Sequence, residues 1–397
     1  MTAREYSECV YKWSGLVRGK RFIWLGSPPW DGVWTRQNHF AQRLAALGAE
    51  VLYLEAPCGW RSRLRERKRG TGMLTVREIE RGLHVMTAPL HLPGANHVDA
   101  IAAVNGTIVS HAVQAWLDEN KWRQFMVWCR LPVSIFALRK LAPQSIVYDV
   151  TDDYALYARH DRERSRCRSR EASLAARADI VFITSQELRK NQTLNARESI
   201  WLPNGVDYDL FAQASRPDFA MHPRLSELRK PTIGYVGLVS RWTDFELLAQ
   251  LSERWPGHVV MVGPVHPDVR KKVEALKDIQ WLGFVPHQNV PRYLRGFDVC
   301  ILPHEVSELR HRANPLKIWE YLATGKPVVS VALRMLEPMG EIVELAQSRD
   351  DFVQRVARCL EHPGSDAQIA QRMAAARALS WDTLFDRMMM SLQTRIQ

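Results

Sequence analysis

The sequence predicts an α/β protein made of two doubly wound domains, each a largely parallel sheet covered by helices. Three observations carry this. A chain of 397 residues exceeds what one hydrophobic core organises and suggests two domains of about 150 to 200 residues. Short runs rich in Val, Ile and aromatic residues alternate with amphipathic stretches along both halves. The halves meet at LPNGVD, residues 202–207, where Asn204-Gly205 supplies a tight turn.

In the first half, RFIWLG reads as a strand, and residues 35–47 as a helix with Phe40, Leu44 and Leu47 on one face and Gly48 as its stop. VLYLEAP and LHVMTAP follow as strands, then a long helix over 99–119, then QFMVWC, SIVYDVTDD, an arginine-rich helix, DIVFITS and SIWLP. The second half repeats the pattern. PTIGYVGLV, HVVMVGPV, IQWLGFVP, FDVCILPHE and KPVVSVA are its strands, with helices beginning near Asp244, Pro267, Asn289 and Pro315. The expected organisation is an N-terminal extension at 1–20, a Rossmann-like domain at 21–207, a linker at 208–230, a second Rossmann-like domain at 231–375, and a C-terminal crossover helix at 376–397. That last helix, SWDTLFDRMMMSL, is expected to pack back on the first domain.

The composition, 46% hydrophobic and 24% charged, is that of an ordinary globular chain. No apolar run approaches the ~20 residues that cross a bilayer, and the opening MTAREYSECVYKWSG lacks the apolar centre of a signal peptide, so a cytoplasmic protein is expected. Six scattered cysteines without a C-x-x-C pair argue for reduced thiols rather than zinc or disulfides. The net charge of +11 implies an anionic partner. It gathers in two places: Arg61, Arg63, Arg65, Arg67, Lys68 and Arg69 beside Trp60, and the series Arg159, Arg162, Arg164, Arg166, Arg168 and Arg170. Each is either a solvated face or an attachment to an anionic membrane surface, at about 1 kcal/mol per basic residue. No zinc finger, helix-turn-helix or RNP signature accompanies the charge, which excludes nucleic acid as the expected partner.

The richest segment is RANPLKIWEYLATGKPVVS, residues 312–330. Asn314 is a good N-cap, Pro315 suits the first helical position, and Gly325 with Lys326-Pro327 ends the helix before a strand. Lys317 is out of place in a first turn, where the helix dipole already presents about half a positive charge. A bound phosphate removes that conflict, with Glu320 one turn on as an acceptor for sugar hydroxyls. The plain alternative is a Lys317–Glu320 surface pair on an ordinary capped helix.

Together with LPNGVD between the halves, VGLVS and VGP after two strands, and GFVP, this segment resembles the retaining GT-B glycosyltransferases of the glycosyl transferases group 1 type. The resemblance covers nearly the whole chain and implies two Rossmann-like domains facing each other across a cleft. It implies a nucleotide-sugar donor, UDP-linked among the options, with its base near the loop Gly283-Phe284-Val285-Pro286, its ribose on Glu320, its diphosphate on Asn314, Pro315 and Lys317, and Gly263 among the donor-binding residues. Gly237, Ser240 and Arg241 line the other edge of that site, and no metal or other cofactor is required. The chain departs from the family at Arg312, where members carry a sugar-binding glutamate; Glu305 or Glu308 are the nearby substitutes. The arginine and lysine usual after the first strand of the second domain are also out of register, leaving Arg241.

On the acceptor side, the resemblance directs attention to GSPPWDGVWTRQNH, with Trp30, Asp31 and Gly32, and with Arg36 and His39 placed to reach a phosphate; His39 reads equally as facing solvent or as a core histidine. Asp149, Asp152 and Asp153 gather at one strand mouth; three such carboxylates need a basic partner or a raised pKa. Asp152, with Asp149 and Lys317, is the catalytic choice, and Asp153 reads as either a cleft residue or a helix cap. The implied activity is transfer of a hexosyl unit with retention to a lipid-linked or polysaccharide acceptor in envelope or exopolysaccharide synthesis. The alternative is an inactive scaffold of the same fold that binds a partner glycosyltransferase or a membrane glycolipid. A dehydrogenase lacks its G-x-G-x-x-G here, and the lone Asp-x-Asp, Asp207-Tyr208-Asp209, sits behind an Asn-Gly turn and reads as turn chemistry rather than a metal site.

Overall fold

A computed structural model describes residues 11–56, 75–191, 193–194 and 199–396. The cluster Arg61–Arg69 with Trp60, and Cys9 and Cys58, lie outside the described residues. The chain forms two compact units, Met1–Pro203 with Asp382–Gln397, and Asn204–Trp381.

Unit 1 holds eight strands: β1 (Arg21–Ser27), β2 (Glu50–Glu55), β3 (Val76–Glu80), β4 (Leu83–Met86), β5 (Met126–Cys129), β6 (Ser145–Val150), β7 (Ile180–Ile183) and β8 (Ser199–Trp201). Their order is β3-β4-β2-β1-β5-β6-β7-β8, parallel except for β3 against β4. The central strands are buried on both faces, which is why they read as continuous apolar runs. One face stacks Trp24 on Trp128 at 5.2 Å and Trp128 on Phe182 at 5.7 Å. β3 was not foreseen, because VREIE is an exposed antiparallel edge with no apolar alternation to announce it.

Unit 2 holds β9 (Ile233–Val236), β10 (Val259–Val262), β11 (Ile279–Gly283), β12 (Val299–Leu302), β13 (Val328–Val331) and β14 (Glu344–Ala346), all parallel in the order β11-β10-β9-β12-β13-β14. In both sheets the order runs outward from an early strand in two directions, so loops part at the carboxyl ends of β1 and β5, and of β9 and β12.

Three boundaries differ from expectation. The segment 208–230 is not a linker: helix Tyr208–Ala212, the 3-10 turn Gln213–Ser215 and helix Pro223–Ser226 bury Phe211, Ala214 and Leu225 respectively within unit 2, and Asn204 already belongs to that unit. Apolar residues spaced among prolines and charges hid this packing. The last helix starts at Trp381 rather than 376, since helix Asp366–Arg377 still belongs to unit 2. The described part of the N-terminal extension is also packed, with Val17 fully buried and Trp13 Nε1 donating to Asp386 at 2.8 Å.

From Asp382 onward the chain is part of unit 1. Helix Trp381–Ile396 buries Leu384, Phe385, Met388, Met389 and Leu392, an i, i+4 stripe, and Asp382 binds Arg43 at 2.8 Å. Within unit 2, the segments that enter and leave it are bridged at Val206 and Ser380.

Candidate functional site

Unit 2 assembles its site at the carboxyl ends of β9, β10 and β11. Gly237 and Gly263 are there because their backbones touch: a Cβ on Gly263 (φ +141) would lie 2.0 Å from the Gly237 carbonyl oxygen, and a Cβ on Gly237 (φ +157) 2.5 Å from the Tyr235 hydroxyl. That contact is a close approach of two loops. Ser240 is buried and shapes the next turn, its N–H donating to Thr243 Oγ1 at 3.2 Å.

Arg241 is exposed and lies over the Trp242 ring at 4.5 Å; Arg310, from helix Glu308–Arg312, lies over the same ring at 5.4 Å. Trp242 therefore gathers two guanidinium groups beside the β9 loop. Arg310 was missed in the sequence because nothing local links it to Trp242. In the GFVP loop, Phe284 is the exposed aromatic surface, 61% accessible, while Val285 is half-buried.

The helix of NPLKIWEYLATG runs over Leu316–Ala323. Its N-cap is Pro315 (φ −73°, ψ 116°), without a side-chain cap, so Asn314 precedes the cap instead of forming it. Asn314 is held from two sides: its Oδ1 accepts from Trp319 Nε1 at 3.2 Å and its carbonyl accepts from Asn204 Nδ2 at 2.8 Å. The Asn-Gly turn of LPNGVD thus fixes the entry to this helix, beyond making a turn. Tyr321 locks the helix to β9, accepting the Val236 N–H at 2.7 Å and donating to its carbonyl at 3.2 Å. Gly325, at φ +75, ends it.

Lys317 Nζ reaches Glu320 Oε2 at 2.9 Å, with Glu320 nearly buried and Lys317 about one-fifth exposed. The intrahelical pair is formed, and His287 sits in the field of both; burial lowers its pKa, Glu320 raises it and Lys317 lowers it. Arg312 binds Glu308 at 2.8 Å, and Arg334 binds the same carboxylate at 2.7 Å. Glu308 is therefore occupied by two arginines, which hold its pKa below the usual range, with Arg334 the larger cause. Glu305 is exposed.

His304 follows β12. It is buried, its ring meets Tyr235 edge-on at 6.2 Å, and its pKa is pushed down to about 3 by burial first and Arg310 second.

In unit 1 the structure separates the acceptor-side residues. Arg36 is 1% exposed and its Nε lies 3.1 Å from Asp149 Oδ2; the same guanidinium donates to the Leu202 carbonyl at 2.6 Å. Trp128 Nε1 also donates to Asp149, at 3.2 Å. Burial raises the Asp149 pKa and lowers that of Arg36, each opposed by the other. The direct contact and the indole donor hold the pair ionised. Neither side chain reaches solvent, which corrects the expectation of Arg36 as a phosphate contact and Asp149 as a catalytic group.

Asp153 is likewise fully buried, bound by Arg168 at 2.7 Å, and does not cap the short helix it precedes. His39 is buried against Trp34 at 5.1 Å, the core alternative. Trp30 is buried edge-on to Tyr53 at 5.0 Å, Gly32 closes a turn onto the Pro29 carbonyl, and Asp31 is exposed and paired with Arg77.

Asp152 alone of the three aspartates faces a cavity. That space, about 510 Å³, lies beyond β5 and β6 and is lined by Arg130, Leu131, Pro132, Asp152, Tyr154 and Tyr157. Arg130 donates to the Tyr154 hydroxyl at 3.0 Å and to the Gly26 carbonyl at 3.2 Å. Two tyrosine rings, a guanidinium and a carboxylate suit a polyhydroxylated ligand with an apolar face. Four of the six arginines of the series are engaged by carboxylates. Arg164, Arg166, Arg168 and Arg170 are paired with Asp161, Asp99, Asp153 and Asp99 respectively, Arg170 at 2.7 Å.

Residues 230–362 match the family described as Glycosyl transferases group 1. TuaH of Bacillus subtilis (strain 168), assigned by its name to glycosyl transfer in teichuronic acid biosynthesis, is 29% identical over 264 residues, 62% of this chain and 66% of TuaH. A 2-deoxystreptamine N-acetyl-D-glucosaminyltransferase of Streptomyces fradiae is 32% identical over 151 residues, 31% of this chain and 34% of that protein. The matches span less than two thirds of either relative.

Among solved structures, sucrose-phosphate synthase from Thermosynechococcus elongatus superposes with a TM-score of 0.74 at 16% identity, over 95% of this chain and 99% of that one. HepE of Anabaena, in complex with UDP and glucose, gives 0.61 at 15% identity over 95% and 100%. An E. coli trehalose-6-phosphate structure bound with UDP-2-fluoro glucose gives 0.67 at 13% identity over 94% and 99%. The protein carries a glycosyl transferases group 1 domain over residues 230–362 and has the two-domain parallel-sheet fold of the GT-B glycosyltransferases.

Proposed function

We propose that this protein is a retaining, metal-independent glycosyltransferase that moves a hexosyl unit from a nucleotide-sugar to a lipid-linked or polysaccharide acceptor in cell-envelope or exopolysaccharide synthesis. The observation that carries the reading is the start of helix Leu316–Ala323, where Asn204 and Trp319 hold Asn314 in place and Lys317 and Glu320 share one face. A diphosphate arriving there draws Lys317 away from Glu320, which frees the carboxylate for the ribose. Lys317, the N–H groups of the first turn and Arg241 then stabilise the charge that grows on the leaving diphosphate as the bond between it and the sugar C1 breaks. The acceptor oxygen bonds to C1 on the same face, and its proton passes to the leaving phosphate. The acceptor is assigned to unit 1, at the cavity of Asp152, Arg130 and the two tyrosines.

UDP is the carrier favoured by the company of HepE and the E. coli structure, both named with UDP ligands. No helix among the described residues is long and apolar enough to cross a membrane. We place the protein in the cytoplasm, peripheral to an anionic membrane surface through Arg61–Arg69.

The test is a thermal-shift panel of UDP, GDP, ADP and dTDP sugars on the wild type and on Lys317→Ala and Glu320→Ala. One sugar nucleotide at 100 times its dissociation constant adds about 2.7 kcal/mol of stability, and both variants lose most of that gain. Unchanged affinity in both variants removes the donor site from this helix.

A second reading, an inactive scaffold, is favoured by Arg312, which ties Glu308 down where the family carries a sugar-binding glutamate. It predicts nucleotide-sugar binding or partner binding without turnover or slow donor hydrolysis.

A further inference from the structure

The amino ends of the unit 2 strands border another cavity, open to solvent and of about 670 Å³, at the opposite end of the sheet from Gly237 and Gly263. The turns leading into β9, β12 and β13 contribute Lys230, Asp298 and Lys326, and the turn after helix Val290–Leu294 contributes Arg295. The other wall is apolar, made by Pro327, Leu360 and Ile369.

Each cation has a carbonyl partner. Lys326 Nζ donates to Phe297 at 2.5 Å, Lys230 Nζ to Gly296, and Arg295 Nη2 to Pro217 at 3.4 Å. Carbonyls satisfy donors without neutralising charge. The one carboxylate in the lining, Asp298, is 3.1 Å from Lys230 and also accepts the Thr232 N–H at 2.6 Å. Three cations against one carboxylate leave a formal charge of +2 in the lining. The end of helix Leu316–Ala323 opens here and offsets about half a charge, so an excess of more than one remains. Burial lowers the Lys326 pKa, and Lys230 and Arg295 push the same way as like charges. An anion inside the cavity removes this penalty.

We propose that this cavity binds a small phosphate monoester, with its anionic head among Lys230, Arg295 and Lys326 and its body against Pro327, Leu360 and Ile369. A monoester carries about −1.5 to −2 charges at neutral pH, which matches the excess, and the volume falls within the roughly 300–1,000 Å³ of small-ligand sites. The apolar wall distinguishes this ligand from inorganic phosphate, which has nothing to place there. The inference does not depend on the donor site.

Phenyl phosphate is the probe, titrated calorimetrically into the full chain. Saturable binding is expected that survives Lys317→Ala and weakens roughly tenfold or more in Lys230→Met and in Arg295→Met, each of which loses a charge-assisted contact. Both side chains are partly exposed, so the variants keep the fold, and circular dichroism verifies it. Sedimentation with vesicles containing phosphatidic acid identifies the source. Vesicle binding that is lost in the same two variants, without a phenyl phosphate titration, assigns the monoester to a lipid headgroup. Failure of both probes to bind, binding unchanged in Lys230→Met and Arg295→Met, or binding abolished by Lys317→Ala each overturns the proposal.

Discussion

His304 is expected to make the protein acid-sensitive by an amount that follows from its surroundings. The ring is buried against Tyr235 beside the Trp242–Thr243 segment, and burial first and Arg310 second push its pKa from 6.5 down to about 3, against a smaller upward pull from the Trp242 backbone. The folded state therefore keeps His304 neutral while the unfolded chain protonates it below 6.5. The stability it contributes is complete above pH 6.5 and is lost as pH falls toward 3, because there the unfolded state binds the extra proton. Between pH 7.5 and pH 5.0 the loss is about 2 kcal/mol for this group alone. Urea denaturation at both pH values measures it, as the difference between wild type and His304→Gln, which keeps a polar side chain of similar size that does not titrate. The wild type should lose about 2 kcal/mol more than the variant over that interval. Equal losses in the two proteins would show that His304 is protonated, or solvated, in the folded state, and the burial argument would fail.

Four further outcomes follow from the geometry. Arg36→Met strands Asp149 in the core of unit 1 and should cost about 3–5 kcal/mol, whereas Arg36→Met with Asp149→Leu should recover much of it; additive losses in calorimetry would mean the pair is not coupled. Gly263→Ala places a methyl 2.0 Å from a backbone oxygen and should lower stability by about 3 kcal/mol or more, and a melting temperature within a degree or so of wild type contradicts the loop packing. Arg310→Ala should weaken the nucleotide-sugar by roughly tenfold if the two guanidiniums on Trp242 serve one diphosphate, and leave it unchanged if Arg310 only stacks. Activity that survives exhaustive chelation supports charge compensation by Lys317 and the helix start, while activity lost to chelator and restored by Mn²⁺ points to a metal.

The sequence by itself determined the class of fold and most of its elements. Strands buried on both faces, such as VLYLEAP and FDVCILPHE, must be continuous apolar runs, and glycine must stand where one backbone touches another, so these features leave a trace in local composition. The helix carrying Lys317 and Glu320 was legible for the same reason, with Pro before it and Gly after it. The polar edge β3 and the three-residue edge β14 left no such trace.

What only the tertiary structure decided is the partner of each charge. Asp149, Asp152 and Asp153 are near neighbours in sequence, yet Arg36 buries the first, Arg168 buries the third, and only Asp152 faces a cavity. Arg312 took Glu308, and Arg310 joined Arg241 on Trp242. Charge pairing depends on distances across segments far apart in the chain and on the exclusion of water between them, and neither quantity is written in the local sequence.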